Sequence, residues 1–156
     1  MTNPADRAKN ILQNIIYATV ATSDKNGQPW NSPVRYVHDD NLNIYWFSDK
    51  EGQHSKNVRE NENVFIVIYD STVPEGNGDG LYIQAKAYEV VDPKEVLLAR
   101  QIKKGEGKEG VVDDFLGNSI RRVYKAVPEQ MWVNAAEIKD GMFIRDYRLE
   151  VPLEDL

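Results

Sequence analysis

The sequence predicts a mainly β protein, a small antiparallel barrel with few helices. Three observations predict it. Short segments rich in β-branched and aromatic residues recur at 17–22, 29–38, 42–48, 64–69 and 81–91. Turn signals separate them, the clearest being Asn26-Gly27. Helical periodicity is confined to a few short stretches, which argues against a parallel α/β sheet. A chain of 156 residues is expected to form one domain, 1–156, around one core.

Taken in order, residues 4–16 read as a helix, with Ala8, Ile11, Leu12, Ile15 and Ile16 on one face. Asn3 before Pro4 suits a cap followed by a first helical position. YATVAT, 17–22, is the first strand. After the Asn-Gly turn comes PWNSPVRYVH, 29–38, with Trp30, Ser32, Val34 and Tyr36 on one face and Asn31, Arg35 and Val37 on the other. Pro33 inside it demands an edge or a bulge. LNIYWFS, 42–48, leads to a short helix at 54–61. VFIVIY, 64–69, is wholly apolar and is expected to be buried on both faces.

The loop DSTVPEGNGDG precedes the strand 81–91, expected to be the longest. Pro93 opens a helix carrying Val96, Leu97 and Ile102. KKGEGKEG reads as a flexible polar break, followed by a short helical segment at 112–116. Closing strands are expected at 120–127, 130–134 and 143–149. No internal repeat is seen.

Composition excludes several classes. Hydrophobic residues are 41% and charged residues 28%, as in ordinary soluble globular proteins. No apolar run is long enough to span a bilayer, and the first residues lack signal or transit character, so a cytoplasmic protein without membrane contact is expected. There is no cysteine, hence no disulfide, thiol catalysis or Cys-ligated metal. A net charge of −6 removes the general attraction that drives nucleic-acid binding. The two histidines, His38 and His54, come without a GxSxG elbow, and HExxH and EF-hand patterns are missing. A catalytic triad and a metal site are therefore not expected. His38, beside Asp39-Asp40, reads as a solvated turn residue. The glycines of PEGNGDG lack a following GK[ST] and link two strands, so a mobile connection or lid fits better than a phosphate loop.

The stretch YWFSDKEGQHSKNVREN, 45–61, runs from a strand into a helix and gathers hydroxyls, free backbone N–H groups and cations. Helix starts attract acids, yet His54 and Lys56 stand here. Taken alone, Ser55 as a cap and Lys56 as a solvated lysine is the plainer reading. The alternative is a phosphate-binding turn. The neighbouring strands favour that alternative, because Ser32, Arg35 and Trp46 offer donors and an aromatic wall for a flat ligand.

The order helix, YATVAT, turn, PWNSPVRYV, IYWFSD, QHSKNVREN, VFIVIYDS, GLYIQAKAYEV resembles the pyridoxamine 5'-phosphate oxidase-like FMN-binding split-barrel family over residues 5–91. The resemblance implies an antiparallel split β-barrel, a homodimer with FMN at the subunit interface, and a flavin-dependent oxidoreductase. Carried over by position, it implies cofactor contacts at Ser32, Pro33, Val34 and Arg35, at Trp46, Phe47 and Ser48, and at His54, Ser55 and Lys56. Arg35 is the candidate charge near the flavin ring, and no residue is identified as a substrate acid or base. Tyr69, Tyr82 and Trp132 are candidates for a pocket wall or partner contact, with core packing the plainer reading. Met142-Phe143-Ile144-Arg145-Asp146 lacks the Arg-x-His substrate clamp of true pyridoxamine phosphate oxidases, which argues against vitamin B6 oxidation. The rival readings are a split barrel using F420 or haem, and a binding or stress-response protein that holds flavin without turnover.

Overall fold

The computed structural model describes residues 3–104 and 112–156. Seven antiparallel strands, β1 (Tyr17–Ser23), β2 (Pro29–His38), β3 (Ile44–Asp49), β4 (Asn63–Tyr69), β5 (Gly80–Glu89), β6 (Arg121–Lys139) and β7 (Met142–Glu150), form one sheet in the order β3-β2-β1-β4-β5-β6-β7, and β3 also pairs with β6. That extra pairing closes the first six strands into a barrel and leaves β7 outside it. Every ladder is antiparallel, as expected from the short alternating segments.

Helix α1 (Pro4–Asn14) begins as its sequence dictates: Asn3 Oδ1 accepts from the Ala5 N–H, and Pro4 needs no acceptor. Its Ala5, Ala8, Ile11 and Leu12 face is buried. The strands β1 (Tyr17–Ser23) and β2 (Pro29–His38) are joined by a turn in which Gly27 takes φ +83° and Asp24 Oδ1 accepts from Asn26 and Gln28 N–H. Pro33 is tolerated because β2 pairs with β3 (Ile44–Asp49) only over Tyr36–His38, leaving that edge open at Pro33.

Helix α2 (Gln53–Glu60) covers one end of the barrel and leads into β4 (Asn63–Tyr69) and β5 (Gly80–Glu89). Helix α3 (Pro93–Lys104) and a 3-10 turn (Val112–Phe115) follow, and then β6 (Arg121–Lys139) and β7 (Met142–Glu150). The expected polar break falls largely on 105–111, outside the described residues. No helix among the described residues is long and apolar enough to cross a membrane.

Two cores form. The larger fills the barrel with Val20, Val34, Tyr36, Ile44, Trp46, Ile66, Ile83, Tyr124 and Met131 among others. The smaller lies outside the β3–β6 wall, where Tyr45, Val123 and Phe115 pack with Val90, Val96 and Ala99. Strand β3 feeds both, because successive side chains alternate between its faces.

The structure differs from expectation in three places. β4 is not buried on both faces: Val64, Ile66 and Ile68 point inward, while Phe65 is 37% and Tyr69 50% exposed. The expected strands 120–127 and 130–134 are one strand of 19 residues, which makes β6 rather than β5 the longest. Pro128 lies next to a register shift opposite Gln84/Ala85, and a bulge lets a proline stay within a paired strand. Tyr82 and Trp132 are not core residues. They flank Phe65 on the outer face of the sheet, with ring centroids 6.5 and 6.4 Å from it.

Candidate functional site at the capped end of the barrel

The polar residues of β1, β2, β3 and α2 converge at the barrel end that α2 covers. Buried Thr22 donates to the Trp30 carbonyl at 3.2 Å, and buried Asn57 Nδ2 donates to Thr22 Oγ1 at 3.0 Å. Gln53 Nε2 completes this chain by donating to Asn57 Oδ1 at 2.8 Å. Such satisfied buried networks set a helix at one position and angle. Ser55, also buried, donates to the Asp49 carbonyl at 2.7 Å and so ties α2 to the end of β3.

Gly52 holds the N-cap position, and no side chain caps the helix. A Cβ there would sit 3.2 Å from the Asp49 carbonyl oxygen, a tight contact that a larger residue takes only if that carbonyl moves by a few tenths of an ångström. With Gly52 as cap, the first-turn N–H groups of α2 are left for another acceptor. Beside this turn, His54 Nε2 lies 2.8 Å from Ser48 Oγ. Burial lowers the His54 pKa below its ordinary value, which favours the neutral imidazole. Ser32 Oγ accepts from Trp30 Nε1 at 3.1 Å.

The ten residues expected to contact the cofactor fall into separate groups. Ser32, Ser48 and His54 are polar and partly exposed at this end. Val34, Trp46 and Ser55 are buried, and so they support neighbours rather than present a surface. Trp46 stacks on Tyr124 with ring centroids 5.6 Å apart and planes 17° apart. Arg35 and Phe47 occupy the opposite face of the β2–β3 ribbon, toward α3, where Lys103 Nζ sits 4.1 Å above the Phe47 ring. Pro33 is exposed on that open edge. Lys56 is exposed and reaches Glu51 at 3.7 Å.

Sequence reasoning missed the Thr22–Asn57–Gln53 chain. Nothing in the strand and helix periodicity marks Thr22 and Asn57 as partners 35 positions apart. The sequence reads PEGNGDG as a mobile connection or lid. Asp79 at that loop's end forms a two-pronged ion pair with Arg7 at 2.7 and 2.8 Å. The loop borders a cavity of about 300 Å3 beside Tyr69, Tyr82 and Asn134. His38, taken as a solvated turn residue, is half-buried, with Nδ1 3.2 Å from the Asp39 carbonyl.

A closed antiparallel barrel with one end covered by a short helix defines a split-barrel-like fold. The family model for pyridoxamine 5'-phosphate oxidase matches residues 5–132, and the chain belongs to that family. Solved structures share the fold. The heme storage protein HutZ of Vibrio cholerae is 22% identical, with 82% of this chain and 92% of that one covered at TM-score 0.66. General Stress Protein 26 of Bacillus anthracis is 15% identical, covering 90% and 97% at TM-score 0.61. An F420 reductase is 18% identical, covering 79% and 94% at TM-score 0.57. No curated protein matches the sequence.

Proposed function

We propose that the protein binds FMN at the α2 end of the barrel, between two copies of the chain, and acts as a flavin-dependent oxidoreductase. One observation carries the reading: the first turn of α2 has no side-chain cap, and Ser48 and His54 stand beside it. Free N–H groups at a helix start, a hydroxyl and an imidazole form a donor set suited to a phosphate monoester. Ser32 extends the polar rim toward where a ribityl chain would lie. Flavin would supply the redox chemistry. The chain's own residues would bind the phosphate and keep α2 in place, while the buried Trp46–Tyr124 stack supports the strands behind the site.

The dimer has support in the outer face of β4, β5 and β6. There Phe65, Tyr82 and Trp132 form an aromatic patch. Aromatic residues of this kind are enriched at subunit contacts. Family membership favours the same arrangement. One domain over 1–156 and a cytoplasmic location complete the proposal.

The rival reading is a protein that binds haem, F420 or flavin without turnover, and the fold neighbours favour keeping it in view. The test is the absorption spectrum of freshly purified protein, with mass spectrometry of the heat-released ligand. Holo-protein is then mixed with NADH or NADPH without oxygen. A flavin spectrum that bleaches supports the oxidoreductase. A flavin that does not bleach favours the binder, and a haem or F420 spectrum overturns FMN.

A further inference from the structure

We propose that a notch in the outer face of the sheet, over Gly80, is a second ligand site, separate from the α2 end of the barrel. Its ligand is a flat nitrogen heteroaromatic ring bearing an exocyclic amine, seated against Tyr69 and Tyr82 and read by Asn134.

The notch follows from one residue. Tyr69 of β4 pairs across to Gly80 of β5, and Val67 to Tyr82. Gly80 carries no side chain, so a gap opens among larger neighbours. A Cβ there would lie 3.5 Å from the Tyr82 hydroxyl and 3.6 Å from Asn134 Nδ2, so both polar ends reach over this one position. The cavity they border, with Tyr69, Val67 and Asp70, is about 300 Å3. That is the small end of the range for ligand pockets and suits a single ring system.

The walls are braced, yet key polar atoms are left open. Asn134 Oδ1 is buried and accepts no hydrogen bond among the described residues. An unmet buried acceptor is costly, and a ligand N–H would satisfy it. The Asn134 backbone is held meanwhile, its carbonyl accepting from Arg7 Nη2 at 2.6 Å. Arg148 fixes Tyr82, with its guanidinium carbon 4.2 Å from the ring centroid and Nη2 donating to the hydroxyl at 3.2 Å. Asp70 Oδ1 accepts from the Thr72 N–H and hydroxyl at 2.8 and 2.6 Å, while Oδ2 takes no bond among the described residues. A buried acceptor and a free carboxylate oxygen call for donors, and two tyrosine rings call for a flat partner. An amino-substituted heterocycle supplies both. Asp70 and the net charge of −6 disfavour an anion.

The notch does not depend on the FMN reading. Strand β4 begins next to α2 at Asn63 and ends at Tyr69, six residues or roughly 20 Å of strand away. Gly80 also stands three strands from β2 in the order β2-β1-β4-β5, roughly 14 Å at ordinary strand spacing.

The experiment titrates the purified full chain with adenine and with purine, which lacks the amine, followed by calorimetry and saturation-transfer NMR. The variants are Asn134→Leu and Gly80→Val, with circular dichroism to confirm folding. Asn134→Leu keeps the side-chain size and removes an amide that bonds to nothing among the described residues, so it tests the site even where Gly80→Val fails to fold. Adenine should bind about tenfold more tightly than purine, the scale of one hydrogen bond to a buried acceptor. Asn134→Leu should abolish that difference, and Gly80→Val, whose methyl groups fill the notch, should abolish binding of both. Added FMN should leave adenine bound.

Four results overturn the site: no binding of either ring, equal binding of the two by wild type, an adenine preference that survives Asn134→Leu, or displacement of adenine by FMN. Tyr82 also borders the aromatic patch proposed as the subunit contact. Adenine that binds Phe65→Glu but not wild type would show that a second copy fills the notch, and overturns the site as well.

Discussion

His54 Nε2 lies 2.8 Å from Ser48 Oγ, joining the start of α2 to the end of β3. Lys56, two residues further on, turns instead toward Glu51. If FMN binds as proposed, this pair favours His54 over Lys56 as the phosphate contact, a choice the sequence left open. His54→Ala should weaken FMN binding about tenfold or more, the range for one charge-assisted hydrogen bond, and leave riboflavin affinity nearly unchanged. Lys56→Ala should change the FMN-to-riboflavin ratio little. Titrating apo-protein with both ligands decides it. A ratio that collapses in Lys56→Ala but not in His54→Ala reverses the assignment.

The same imidazole makes stability depend on pH. Burial lowers its pKa in the folded state, so the unfolded chain binds the proton more readily. Stability is then full above the ordinary histidine range and declines as pH falls through it toward the folded value. Without ligand, wild-type protein should lose melting temperature between about pH 7 and 5 more steeply than His54→Asn. Parallel slopes for the two proteins would show that His54 is as well solvated when folded as when unfolded.

Trp46 and Tyr124 stack inside the barrel, both fully buried, and among the described residues neither Trp46 Nε1 nor the Tyr124 hydroxyl has a well-formed hydrogen bond, the Ser55 hydroxyl beside Tyr124 donating instead to the Asp49 carbonyl. Removing an unpartnered hydroxyl relieves a desolvation cost, so Tyr124→Phe should be neutral or slightly stabilising in urea unfolding. Trp46→Ala should cost about 3–5 kcal/mol, because the barrel cannot collapse into so large a void. A loss of about 2 kcal/mol or more in Tyr124→Phe would reveal a partner for the hydroxyl, such as a buried water.

The aromatic patch on the outer sheet face predicts the assembly. Light scattering should give a mass near twice 17.8 kDa for the wild type. Placing a charge at half-exposed Phe65, as in Phe65→Glu, should drive the protein toward monomer by burying an unpaired carboxylate in the contact. Circular dichroism confirms that the variant folds. A wild-type mass near 17.8 kDa sinks the dimer, and a fully dimeric, folded Phe65→Glu places the contact elsewhere.

Much of this protein was determined locally and was legible in the sequence alone. The Asn3-Pro4 start of α1, the Asn26-Gly27 turn and the alternation that sends Val34 and Tyr36 inward while Arg35 points outward follow from backbone sterics and side-chain period. So did the mainly antiparallel barrel, since short β-rich segments with tight turns leave few other ways to bury their faces. What covers each face was decided only by tertiary structure. VFIVIY is apolar at every position, yet no layer of the described residues covers Phe65 and Tyr69. Pro128 looked like a strand end until the opposing bulge at Gln84/Ala85 was seen to accommodate it. Arg100 and Arg121 are 21 positions apart in sequence, and only the packing of α3 against the β3–β6 wall brings both guanidinium groups over the Phe115 ring. Period and turn chemistry act over a few residues, whereas contact between remote segments depends on how the whole barrel closes.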